Sequence, residues 1–192
     1  SGAVSLNAAT DFRGIYTRAF ITTTLYVNDT GDAGKSSLGS PLTIKVNPNT
    51  GVLRGDGVVM LYAGDSAKTP ELNVYGTLAP GNVAHTNATL SIGPNGTKIG
   101  IVTTMRTNSV FRIQADPAGD CPAVVQNAGT FAIMQPEDGA DEAITAPKIV
   151  VSGAYAPAQG RHRVLTVTGT LEGQFAPEVV MDFPKSSQYT IE

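Results

Sequence analysis

The chain has no tryptophan and a single cysteine, and only 15 % of its residues are charged. One cysteine, Cys121, cannot form an intrachain disulfide, so the fold must rest on a core, and 192 residues suffice to bury one. Cys121 stands between Asp120 and Pro122 with no His or Lys beside it in sequence. Nothing there lowers its pKa, and it reads as an ordinary loop or strand-edge residue rather than a reactive thiol.

A charged share well below the usual quarter or so argues against ordinary disorder, which couples high charge to low hydrophobicity. Solubility then falls to Thr, Ser, Asn and Gly, a profile suited to β-rich extracellular proteins and to proteins that live inside assemblies. The formal net charge of −3 and pI near 5.3 argue against an electrostatic nucleic-acid binder. No run of 18 apolar residues is present to cross a membrane as a helix. The first residues show no basic segment leading into the apolar core of a signal peptide. The six Tyr and six Phe fall mostly in strand-like runs, so the row of exposed aromatics that carbohydrate-binding modules stack on sugars is not expected. Helical periodicity is missing as well: no window of a dozen residues spaces its apolar positions at 3.6.

The chain is instead rich in β-branched runs and in punctuation, with 21 Gly and 12 Pro, one or the other breaking almost every ten residues. Strands are expected over 19–27, 41–46, 58–62 (buried on both faces), 71–78, 123–125, 130–134, 148–152, 163–171 and 178–183. Turns are expected at Asn47-Pro48-Asn49-Thr50-Gly51 and at Arg54-Gly55-Asp56-Gly57. Between 88 and 114, two strand-like runs flank Pro94-Asn95-Gly96-Thr97, and the Asn-Gly pair predicts a two-stranded hairpin closed by a type I′ turn. Ten or more short strands at this spacing point to an all-β fold, a single antiparallel β-sandwich or jelly-roll-like domain over residues 1–192. Residues 1–12 would form an extended arm or edge strand, and 184–192 a tail.

Two internal echoes stand out. Val46–Gly51 resembles Ile92–Thr97, and Val74-Tyr75-Gly76-Thr77-Leu78 resembles Val167-Thr168-Gly169-Thr170-Leu171. Reuse of turn chemistry is the simpler reading of both.

No motif carries a reaction. Gly31-Asp-Ala-Gly34-Lys35-Ser36 lacks the four-residue spacing of a phosphate loop, and Pro41 blocks the helix that must follow. Arg54-Gly55-Asp56 is the tripeptide that integrins recognise, in a turn that would display it, but Gly-Asp-Gly is also a natural turn sequence. Asn28, Asp29 and Asp32 share one loop and Glu137, Asp138, Asp141 and Glu142 another, without the spacing that wraps oxygens around a hard cation. His85 and His162 have no ligand-type neighbours for zinc, and no Gly-x-Ser-x-Gly elbow marks a hydrolase. Three Asn-x-Thr sites begin at Asn28, Asn87 and Asn95.

The sequence therefore assigns no catalytic, cofactor-binding or metal residue and no cofactor. The expected role is a non-enzymatic structural subunit of a large assembly, foremost a virion or phage component such as a capsid decoration, spike or tail protein. The alternative is a secreted pilus or filament subunit or a surface adhesin. Expected partners are further copies of the chain in a homo-oligomer and other subunits, with a cell-surface receptor as a further candidate. Neither nucleic acid nor a membrane span is expected.

Overall fold

The computed structural model describes residues 3–6, 18–21, 24–27, 37–38, 43–62, 69–81, 88–95 and 100–184. Among them are eighteen short strands. In chain order these are β1 (Ala3–Leu6), β2 (Arg18–Ile21), β3 (Thr24–Val27), β4 (Ser37–Leu38), β5 (Thr43–Val46) and β6 (Val52–Gly55). Next come β7 (Val58–Tyr62), β8 (Glu71–Val74), β9 (Thr77–Pro80), β10 (Thr89–Asn95), β11 (Val102–Met105) and β12 (Val110–Ile113). The last six are β13 (Ala123–Gln126), β14 (Thr130–Ile133), β15 (Lys148–Ser152), β16 (Leu165–Val167), β17 (Thr170–Glu172) and β18 (Val179–Asp182).

These strands build three sheets in which every ladder is parallel. Sheet A runs β1-β3-β6-β9-β12-β15-β18, sheet B runs β4-β7-β10-β13-β16, and sheet C runs β2-β5-β8-β11-β14-β17. Successive strands visit C, A and B in turn, so the chain winds as a coil and each rung lies on the one before. The molecule is a three-sided parallel β-solenoid, stabilised mainly by contacts between adjacent rungs.

The local cause is a period-two pattern repeated at every rung. In β5, β6, β12, β13 and β14 exposure alternates, with every second residue buried. Parallel registry stacks those buried residues into ladders. In sheet A, Leu25, Leu53, Leu78, Phe111, Ile149 and Val179 follow one another. In sheet C the sequence is Ile44, Leu72, Thr103, Phe131 and Leu171. In sheet B, Val59 lies under Ile92, then Gln126 and Val167. The ladders of all three sheets meet in one apolar core, where each fully buried aliphatic or aromatic side chain contributes about 1.5–3 kcal/mol.

Corners are tight and hydrogen-bonded between rungs. Where sheet C hands over to sheet A, the amide of Asn47 donates to the Ile21 carbonyl (2.9 Å), Tyr75 to Val46 (2.9 Å), Arg106 to Val74 (2.8 Å) and Met134 to Met105 (2.9 Å). At Gly76 the chain passes so close to the rung below that a Cβ would run into the carbonyl oxygens of Asn47 and Gly51. Gly169 stands likewise on the Gly129 carbonyl, at the corner between sheets B and C. This explains the second echo in the sequence: Val74–Leu78 and Val167–Leu171 are each a strand end, a glycine corner and the start of the next strand.

The antiparallel sandwich or jelly roll expected from the sequence is overturned by these all-parallel ladders. Alternation reports that one face is buried, and it reads the same whether neighbouring strands run parallel or antiparallel. The expected hairpin over 88–114 fails for the same reason. β10 does not pair with β11; it pairs in parallel with β7 and β13, while β11 pairs with β8 and β14. Gly96 and Thr97 of the anticipated turn lie outside the described residues. Three expected strands are each two strands meeting at a corner: 19–27 holds β2 and β3, 71–78 holds β8 and β9, and 163–171 holds β16 and β17. The expected burial of 58–62 on both faces also gives way, since Val59 and Leu61 are buried but Val58 and Met60 only half-buried. The anticipated arm includes β1, an edge strand paired in parallel with β3.

Candidate functional site

Three places bring chemistry or an unsatisfied surface together. The first is the C-terminal end. Leu171 occupies the same ladder position as Phe131, which is fully buried, yet Leu171 is 53 % exposed. Val180 of β18 is also exposed. Beyond β16, β17 and β18 no described strand pairs, so these three are the outer strands of their sheets among the described residues. This face is stepped among the described residues, because the last described strand is β18 of sheet A, one strand beyond β16 and β17.

The second place is the corner between sheets C and A. Lys45 Nζ sits 4.6 Å from the centre of the Tyr75 ring, and Arg106 Cζ lies 5.5 Å from it. Arg106 also donates from Nε and Nη2 to Asn73 Oδ1 (3.1 and 2.6 Å), and Asn73 donates to Glu71 Oε2 (2.9 Å). Lys45, Tyr75 and Arg106 lie on successive rungs and are 30 and 31 positions apart in sequence, although the ladder partner of Lys45 is Asn73 rather than Tyr75. That spacing is the signal by which the cluster could have been found, and it carries meaning only once the coil is known. Each cation–π contact stabilises by roughly 0.5–1 kcal/mol at an exposed site, so the cluster reads as a clamp across three rungs.

The third is the loop 114–122. Asp116 Oδ1 accepts from the amides of Ala118 (2.8 Å) and Asp120 (2.9 Å), and the Asp116 amide donates back to the Asp120 carbonyl (3.0 Å). Burial first, then the charges of Asp120 and Asp116, pushes the Cys121 thiol up to about 11. At neutral pH it is a protonated, weakly nucleophilic group, in accord with its reading as a structural residue.

The motifs singled out in the sequence separate on the fold. The Arg-Gly-Asp tripeptide is not displayed: Arg54 donates from Nη2 to Gln114 Oε1, and Asp56 is only 3 % exposed. Glu137, Asp138, Asp141 and Glu142 are exposed in the loop between β14 and β15. The Asp141 carboxylate there accepts from the Ala143 amide (2.9 Å). Among the described residues no three His, Cys, Asp or Glu side chains converge as metal ligands. His162 is tied through Nε2 to the Ala158 carbonyl oxygen at 2.6 Å. His85, Asn28, Asn87 and the Gly31–Ser36 segment lie outside the described residues, and Asn95 closes β10. No described helix is long and apolar enough to cross a membrane.

Comparisons with protein-family models, with curated proteins and with solved structures return no match.

Proposed function

We propose that this protein is a non-enzymatic structural subunit of a large assembly, of the spike or tail kind in a virion. The observation that carries this reading is Leu171, which stands in a core ladder of sheet C yet is 53 % exposed, beside strands β16, β17 and β18 that no further described strand pairs. Exposed parallel edges invite pairing with another chain, and a coil of rungs normally needs a polar terminal repeat to remain soluble alone. Burial against neighbouring subunits would be the mechanism, with about 1,200–2,000 Å² covered per stable contact.

The test is the state of the chain in its native source. Particles purified from that source should contain it in stoichiometric amounts, as measured by mass spectrometry and microscopy. Recovery solely as a free 19.9 kDa monomer would sink the reading.

A further inference from the structure

The outer face of sheet A and the loop beside it carry opposite charge. Leu53, Phe111 and Ile113 are buried, so the alternating Arg54 of β6 and Arg112 of β12 stand on the outer face. Gln114, between the buried Ile113 and Ala115, stands on that face too. Arg54 reaches across β9 and donates from Nη2 to Gln114 Oε1, which draws its guanidinium to the Arg112 side of the sheet. Arg112 Nε is buried and has no hydrogen-bond partner among the described residues. An arginine Nε–H and its neighbouring Nη–H form a fork that a carboxylate fills, and a buried donor left unmade costs stability. On the same face Lys148 opens β15, while Glu178 and Asp182 lie on the far side, at β18.

The loop between β14 and β15 is the acidic counterpart. Glu137, Asp138, Asp141 and Glu142 are all exposed there, and so is Ile144, at 39 %. The loop is held at the height of β12: the Thr145 amide donates to Asn108 Oδ1 (2.7 Å) and the Asn108 amide to the Thr145 carbonyl (2.8 Å). Asn108 lies two residues before β12, so the loop sits where the strands of sheet A begin, and Arg112 and Gln114 where they finish.

We infer that the acidic loop of one copy docks on the outer face of sheet A of a second copy, with its carboxylates on Arg112 and Arg54. This rests on the structural reading above and names its partner. A half-turn about an axis parallel to the coil reverses the strand direction and keeps the height. It therefore brings the loop of each copy over the Arg112 side of the other. The contact is isologous, made twice in one side-by-side pair. Opposite charge fixes the register and discourages other pairings, and Val150 and Val180 on the sheet face, with Ile144 on the loop, add apolar area.

Charge reversal on each side, and then on both, tests the contact by analytical ultracentrifugation. Arg112→Glu should weaken dimerisation about tenfold or more, and so should the double variant Asp138→Arg with Glu142→Arg, each with an unchanged far-ultraviolet circular dichroism spectrum. Mixing the two variant proteins should restore dimers of near-parental affinity, because in the mixed pair each loop again faces the opposite charge. A mixture that stays monomeric would overturn the inference; loss with Arg112→Glu alone, unrestored, would assign that guanidinium to a carboxylate on some other subunit. If Arg112→Glu fails to fold, the loop variant decides by itself, since its residues are exposed, and unchanged dimerisation would overturn the contact. Dimers indifferent to both variants would refute this docking and leave the structural reading standing. A parent chain that is monomeric at every concentration would also refute the docking, and its absence from native particles as well would remove both.

Discussion

Phe131 and Leu171 are paired Cα to Cα on adjacent strands of sheet C, yet one is wholly buried and the other 53 % exposed. Their local sequences do not explain this, because each is the apolar middle residue of a short β-run. The difference is position in the stack: among the described residues, Phe131 has rungs on both sides and Leu171 on one. A residue in a coil of this kind is buried by the turns above and below it, so stability should concentrate in the middle rungs and fade toward the end.

The largest expected contrast is in core truncation. Phe111 is fully buried and packs against Phe175 with ring centroids 5.6 Å apart, so Phe111→Ala should cost about 3–5 kcal/mol. Leu171→Ala should cost about 1 kcal/mol or less in the isolated chain, given its exposure. Urea denaturation of both variants tests this, and equal losses would break the comparison.

Next is the corner. Gly76→Ala forces a methyl against the carbonyl oxygens of Asn47 and Gly51 and should cost roughly 2–3 kcal/mol. Gly100→Ala has nothing within 4 Å of the added carbon and should stay within about 0.5 kcal/mol. Calorimetry on the pair distinguishes inter-rung contact from a general intolerance of side chains at glycine.

A smaller effect is expected at the clamp. Tyr75→Leu keeps the bulk but removes the ring that faces Lys45 and Arg106, and should cost about 1–2 kcal/mol for the two contacts together. A loss that Lys45→Met and Arg106→Met do not share would show that the ring acts by packing alone.

The smallest effect is chemical. Because burial, then the charges of Asp120 and Asp116, pushes the Cys121 thiol up from an ordinary 9.0 to about 11 in the folded chain, the folded state holds its proton more tightly. The associated stability is present in full below the unfolded pKa and declines as pH rises toward about 11. Alkylation by iodoacetamide at pH 8 should therefore be much slower in the native protein than in urea. Equal rates would mean that the thiol is neither buried nor shifted.

Much of the strand content was legible from the residues. Ile44 and Val46, or Leu53 between Val52 and Arg54, announce one buried face, and Lys148–Ser152 matches β15 at both ends. What could not be read was where each strand finds its partner. Leu78 lies under Phe111, and Phe111 under Ile149; those sequence separations of 33 and 38 residues differ from the 25 between Leu53 and Leu78, because corner loops vary in length. Unequal loops erase the fixed period that reveals a repeat protein. The Asn95-Gly96 pair misled because the run before it pairs in parallel with β7 and β13 rather than with the run after it. The exposed end was illegible too, because Leu171 looks like any other core leucine until the rungs are counted.

Native-state hydrogen exchange on the dilute, monomeric chain tests the coil and its fading end together. Sheet C supplies the comparison within one ladder set: the amides of β11 (Val102–Met105) should be protected to near the global unfolding free energy, and those of β17 (Thr170–Glu172) should exchange far faster. Equal, strong protection in β11 and β17 would contradict a solenoid in which β17, paired on one side only among the described residues, is less protected than β11.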